Sequence, residues 1–278
     1  MNLKLLSKIE GWRRRHESTI KEIKFSLYLL RQNKLTVAGF LIFAGLIVIA
    51  IFADYIAPRS PYEVDLEIKF LPPSIENLFG TDELGRDIFS RVVHGTRISL
   101  MIGAFVVAIS LSTGVFVGAI AGFYGGITEE IIMRVTDIFL AFPSIVLALA
   151  VGTALGPGIQ NAMLALAFTW WPWYTRLVRG QVLSIRETQY IEAARSVGGG
   201  NIHIILSHVL PNCIAPIVVN ASMDMGYVIL TAASLGFLGI GAQPPMPEWG
   251  LMISTGRLYA MDYWWLPTFP GLAIFLSV

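Results

Sequence analysis

The chain has 278 residues, of which 55% are hydrophobic and only 14% are charged, and its mean hydropathy is +0.65. Soluble domains carry about 25% charged residues, so the composition argues against a soluble enzyme and against a nucleic-acid partner, and predicts a lipid bilayer as the surroundings. The net charge is +1, and the single cysteine, Cys213, excludes an intramolecular disulfide.

The basic residues concentrate at the start of the chain. Nine of the twenty Lys and Arg residues precede residue 36. The first apolar run follows them and is too long for a signal-peptide core, so it is predicted to be a retained membrane anchor. Residues 1–35 are therefore expected to form a basic cytoplasmic segment.

Six apolar segments follow, and a spanning helix needs about 20 such residues. The predicted helices are 36–57, 98–123, 138–154, 161–178, 211–235 and 266–278. The predicted organisation is a first helix with an external loop over residues 36–97 and a core membrane domain over residues 98–278. The last segment has only 13 residues, short of a full crossing, and we expect it to be truncated.

The orientation follows from the distribution of Lys and Arg. With the N-terminus inside and alternating helices, fourteen basic residues lie inside and six lie outside. This bias predicts a multi-pass protein of the cell membrane with a cytoplasmic N-terminus.

The external stretch GTDELGRDIFSR, residues 80–91, is predicted to be a turn followed by a helix that Asp87 caps, with an Asp87–Arg91 pair. A cation site at Asp82 and Asp87 is disfavoured, since hard cations need six or more oxygen ligands. No spacing of His or Cys predicts a metal site.

Within the second helix, three glycines recur every four residues and lie on one face, which predicts close packing against a neighbouring helix. They are Gly114, Gly118 and Gly122. Pro143 and Pro216 are expected to kink the third and fifth helices.

Asp224 is the only ionisable residue well inside a predicted span. A carboxylate there is costly, so it is expected to face the interior or water. Three roles remain open: contact with substrate, a helix–helix contact, or a position nearer the membrane surface.

The loop after the fourth helix, residues 187–208, is placed inside by the charge count. We expect two short helices: one from Glu187 to Val197 that ends at three glycines, and one that Asn201 caps and that stops before Pro211. Its small and charged residues suit close docking on another protein, while the alternative is an ordinary solvated loop. The residues in question are Glu192, Ala193, Ala194 and Arg195.

This loop resembles the EAA loop of ABC importer permeases, in which Glu-Ala-Ala precedes a glycine at fixed spacing and then Leu-Pro. The matching residues are Glu192, Ala193, Ala194, Gly198, Leu210 and Pro211. His208 stands at a usually aliphatic position, as in the peptide-type branch. Four further stretches, 31–42, 79–100, 137–158 and 234–253, resemble the dipeptide, oligopeptide and nickel permeases. Ala232 departs from the acidic residue frequent at that position in the family.

The resemblance implies an all-α, six-helix type I ABC importer transmembrane domain with a truncated last helix. It implies a permease subunit that forms the path for di- or oligopeptides, with oligosaccharides or nickel as alternatives and an ion-coupled secondary transporter as a weaker one. The implied partners are ATPase subunits, a paralogous second permease and an external solute-binding protein.

The resemblance assigns ATPase coupling to Glu192, Ala193, Ala194, Arg195 and Gly198, and a structural role to Leu210 and Pro211. Asp224 is a candidate for the translocation path or a helix interface. No G-x-x-x-x-G-K-[ST] phosphate-binding sequence occurs, so ATP hydrolysis is expected of a partner, and neither a catalytic site nor a cofactor is predicted.

Overall fold

The computed structural model describes residues 32–278, and within that range it is helical and contains no named strand. The eleven α-helices are α1 (Lys34–Ile51), α2 (Ala53–Ile56), α3 (Ile88–Tyr124), α4 (Gly126–Leu140), α5 (Ser144–Leu155), α6 (Ile159–Arg186), α7 (Gln189–Ser196), α8 (Asn201–Ile204), α9 (Leu210–Phe237), α10 (Trp249–Gly256) and α11 (Trp265–Ser277).

The chain divides into two compact units at residue 48. In the first unit, the Asn33 side chain accepts a hydrogen bond from the Leu35 amide at 3.0 Å and so stabilises the start of α1. The second unit, residues 49–278, holds the other helices and the sites described below. The expected basic segment 1–35 lies almost wholly outside the described residues.

Three stretches of the described chain are long and apolar enough to span a membrane: α1, α3, and the continuous run from Asn201 to Phe237. α4 and α5 together meet the same test but are bent by 88° at their junction. Each of the six predicted segments therefore contains a helix, with α6 and α11 supplying the fourth and the sixth.

The second helix begins ten residues earlier than hydropathy predicts, at Ile88. Its start is capped by Asp87, whose carboxylate accepts from the Ser90 amide at 2.8 Å, which confirms the predicted cap. The predicted Asp87–Arg91 pair is wrong, because the capping contacts hold the Asp87 side chain. Arg91 instead lies 3.7 Å from Asp82.

The third segment is a bent pair rather than one kinked helix. Its break falls at residues 141–143, and Pro143 precedes the first turn of α5. Proline cannot donate the backbone hydrogen bond that would continue α4, so the bend at this place agrees with the kink predicted at Pro143 but is much larger.

The glycine face of α3 packs against α6, as predicted. A Cβ atom added at Gly118 would lie 2.6 Å from the Thr175 carbonyl oxygen, and one at Gly122 would lie 2.8 Å from the Val182 Cβ. These separations are too short for any side chain, so the absence of Cβ atoms is what allows the two helices to approach so closely.

The fifth helix departs most from expectation. The predicted stop before Pro211 is wrong, because α8 continues through a π-helical turn, Ile205–Val209, directly into α9. The wider turn lies where the proline would otherwise clash with the preceding carbonyls. Asn201 is not the cap either, since Gly200 occupies that position and no side chain caps the helix.

The segments outside the long helices are also well packed. Trp249 donates its ring N–H to the Val92 carbonyl at 3.0 Å, and Trp265 donates to the Thr81 carbonyl at 3.3 Å. Phe70 stacks on Tyr263 with ring centroids 4.2 Å apart. These contacts join the segment before α3, and the first turns of α3, to the segments after α9.

Candidate functional site

The 187–208 loop is organised by one short amphipathic helix, α7. Ile191 on its inner face is fully buried in a hydrophobic cluster that includes Val182 of α6 and Ile204 of α8. Ala194 is half-buried and packs against the same cluster. These two contacts fix the helix to the membrane domain.

The opposite face of α7 is open. Glu192, Ala193 and Arg195 are all exposed. The Arg195 guanidinium lies 5.2 Å from the centre of the Phe123 ring, which restrains that side chain without burying it. The outer face of α7 therefore exposes Ala193 between the charges of Glu192 and Arg195. The inner face of the same helix fixes it to the membrane domain.

The chain leaves α7 through a tight glycine turn. Gly198 has φ +87°, a left-handed conformation that glycine adopts without strain, and its amide donates to the Arg195 carbonyl at 2.9 Å. A Cβ atom at Gly199 would lie 2.7 Å from the Ala194 carbonyl oxygen. Leu210 and Pro211 are not at the end of this turn but within the helical run from Asn201 to Phe237.

Three basic residues of α6 make polar contacts that the sequence did not predict. Arg176 donates to Asp137 at 2.6 Å, and Arg179 donates to Glu129 at 2.6 Å. Arg186 donates to the Gly122 carbonyl at 2.9 Å. A topology prediction from basic residues counts each arginine as an unpaired charge. Such a count could not predict that these α6 arginines contact α3 and α4.

A second candidate site is a cavity of about 620 Å³ between α6 and α9, with Ser144 of α5 at its edge. Asp224 is half-buried in its wall. The aromatic run TWWPWYTR, residues 169–176, supplies Trp170, Trp173 and Tyr174 to the same cavity. These aromatic residues cluster in the sequence, and the cluster could have indicated the cavity, although a hydropathy profile does not detect it.

Residues 114–278 match the family described as "Binding-protein-dependent transport system inner membrane component", and residues 27–73 match "N-terminal TM domain of oligopeptide transport permease C". The chain belongs to this family of importer permeases. This confirms the family that the EAA-like loop predicted.

Curated relatives agree with the assignment of this chain to the permease family. This permease is 45% identical over 251 residues to the probable D,D-dipeptide transport system permease protein DdpC of Escherichia coli K12, and the match covers 90% of this chain and 84% of that protein. It is 47% identical over 249 residues to the dipeptide transport system permease protein DppC of Alkalihalophilus pseudofirmus, covering 90% and 82%.

Among solved structures, the permease resembles a chain of the MetNI methionine ABC transporter in an inward-facing conformation. The TM-score is 0.57 at 21% identity, and the match covers 68% of this permease and 91% of that chain. At this identity the likeness establishes the fold, which is the predicted all-α type I importer fold. The permease is accordingly a multi-pass membrane protein.

Proposed function

We propose that this permease forms part of the translocation path of an ATP-driven importer for di- or oligopeptides in the cell membrane. The observation that carries the proposal is the match over most of the chain to permeases named for dipeptide transport. Those names favour peptides over the oligosaccharides and nickel that the resemblance left open. The sequence contains no phosphate-binding loop, which supports ATP hydrolysis by a partner subunit.

In this proposal, α7 transmits the conformational change of the ATPase to the membrane helices. Glu192 and Arg195 offer charges for pairing across an interface, and Ala193 between them leaves room for close approach. Ile191 anchors the helix in the same hydrophobic cluster as α6 and α9 residues, so a displacement of α7 would be passed to both. Ala194 takes part in that anchoring rather than in the outer surface.

We place the N-terminus in the cytoplasm, because basic residues concentrate on the cytoplasmic side of a membrane protein. This orientation also puts the 187–208 loop on the side where ATP is available. A second permease subunit would complete the path, and an external binding protein would deliver the solute. Leu210 and Pro211 hold the junction between the loop and α9.

The proposal is tested by reconstituting the permease with the proteins encoded beside it and measuring uptake into proteoliposomes. We expect uptake of a labelled dipeptide that requires both ATP and the binding protein. Uptake of labelled nickel or oligosaccharide instead of dipeptide would overturn the substrate class. Uptake driven by an ion gradient without ATP would overturn the importer mechanism, in favour of a secondary transporter.

A further inference from the structure

The cavity between α6 and α9 has an unusual lining for a membrane domain. Aromatic side chains of Trp170, Trp173, Tyr174 and Tyr227 form much of its wall, and Asp224 contributes a carboxylate. Aromatic faces attract cations, and they do so more strongly where water is partly excluded. The lining therefore combines two features that recognise an organic cation.

The charges around the cavity leave Asp224 without a counter-ion in the described part of the chain. Arg176 also lines the cavity, but its guanidinium is paired with Asp137 at 2.6 Å. No Lys, Arg or His nitrogen of residues 32–278 forms an ion pair with Asp224. A carboxylate at this depth is costly unless a positive charge compensates it.

Tyr174 lies beside this carboxylate and is only 1% exposed. Its hydroxyl makes no hydrogen bond of ordinary length to the described residues, and Asp224 is the side-chain acceptor beside it. A hydroxyl carries no charge, so it can orient the Asp224 carboxylate but cannot compensate its negative charge. A cationic ligand in the cavity would supply that compensation.

We propose that this cavity binds the protonated amino terminus of a peptide in transit, with Asp224 as its carboxylate partner and the aromatic faces around the ammonium group. The inference rests on the proposed function and extends it to a specific site. A volume of about 620 Å³ suits a short peptide. One carboxylate among aromatic rings does not suit a metal ion, which needs several oxygen, nitrogen or sulfur ligands.

The test measures binding of labelled dialanine, by equilibrium dialysis, to the purified membrane complex without the external binding protein. We expect Asp224→Asn to weaken binding at least about tenfold, because a hydrogen bond to a charged group is lost. Asp224→Glu, which keeps the charge, should bind more tightly than Asp224→Asn. The matched control Asp262→Asn removes an exposed carboxylate outside the cavity and should bind like the unaltered protein.

A second arm needs no variant. N-acetyl-dialanine lacks the ammonium group, so it should compete with dialanine at least about tenfold less well. Equal competition, or unchanged binding to Asp224→Asn, would overturn the inference. Loss of the other subunits from Asp224→Asn would also overturn it, by assigning the carboxylate to subunit assembly.

The two proposals fail in different ways. ATP-dependent dipeptide uptake by the unaltered transporter tests the proposed function. If that uptake is normal but the complex binds no dialanine in the cavity, only the ammonium site is overturned.

Discussion

The close packing of α3 on α6 makes a quantitative prediction for Gly118→Ala. The added Cβ would lie 2.6 Å from the Thr175 carbonyl oxygen, whereas ordinary contact begins at 3.4 Å. The two helices must therefore separate by roughly 0.8 Å at this point, or the backbone must distort. The obstacle is backbone, which cannot rotate away as a long side chain could.

The separation has a predictable cost. A gap of about 0.5–1 Å forfeits a quarter to a half of the dispersion energy of each contact it opens. Overpacking of this kind typically costs about 1–3 kcal/mol, and we expect Gly118→Ala to lie in that range. Gly118→Leu should be worse, since its longer side chain has no room on this face.

The matched control is Gly180→Ala on the exposed face of α6, where an added Cβ meets nothing within 4 Å. That change should leave stability unchanged or raise it by up to about 1 kcal/mol, because alanine favours helix. The assay is unfolding of the purified permease in detergent, followed by circular dichroism during titration with a denaturing detergent. Equal midpoints for Gly118→Ala, Gly180→Ala and the unaltered protein would refute the packing argument.

Three further predictions concern the segments outside the long helices and the topology. Burial raises the pKa of Glu248, between α9 and α10, from 4.5 to about 6. Folding therefore favours the protonated form, and this stabilisation of about 2 kcal/mol is complete below about pH 4.5 and lost as pH rises through about 6. Thermal unfolding should show a smaller decrease in Tm between pH 4.5 and 7 for Glu248→Gln than for the unaltered protein, and an identical decrease would contradict the assignment. Asp82→Asn should destabilise the protein by about 3 kcal/mol in denaturant titrations, because it removes the carboxylate that contacts two buried arginines, Arg86 at 2.7 Å and Arg91 at 3.7 Å; an unchanged midpoint would show that these pairs contribute nothing. An impermeant thiol reagent should label Ile75→Cys and not Ser196→Cys in intact cells, with little background because the native cysteine is buried; the reverse labelling would place the 187–208 loop outside.

Hydropathy was sufficient to predict a helix in each of the six apolar segments, because apolar composition is a direct requirement of the bilayer. It failed at boundaries that tertiary contacts decide. The polar first three turns of α3 look like loop, yet Asp87 caps them and neighbouring segments bury Ser90 and Arg91. Similarly, Pro211 indicates a helix end, yet a π-helical turn directly before it lets the helix continue.

The candidate sites differ in how far the sequence could predict them. The 187–208 loop is a local motif, and its left-handed turn at Gly198 could be predicted from glycine alone. The sequence could not predict whether Ala193 or Ala194 faces outward, because that depends on how α7 packs in the hydrophobic cluster around Ile191. The cavity joins Trp173 to Asp224, some fifty residues apart in sequence, and no local pattern predicts that they share one space.

The central claim, that α7 couples this permease to a separate ATPase, is tested most directly with Glu192→Lys and Ala193→Trp. Both residues are exposed and neither packs in the membrane domain, so folding should be preserved. The controls are Glu76→Lys and Ala154→Trp, which make the same changes at exposed positions on the opposite side of the predicted topology.

The measurement is the amount of ATPase subunit that copurifies with each variant, together with solute-stimulated ATP hydrolysis. Charge reversal at a desolvated pair costs about 2–5 kcal/mol, so Glu192→Lys should weaken retention at least about tenfold. Ala193→Trp should also reduce retention, because a tight interface tolerates little added volume, and both controls should behave like the unaltered protein. Normal ATPase retention and normal stimulation in both α7 variants would contradict the coupling role and leave residues 187–208 as an ordinary loop.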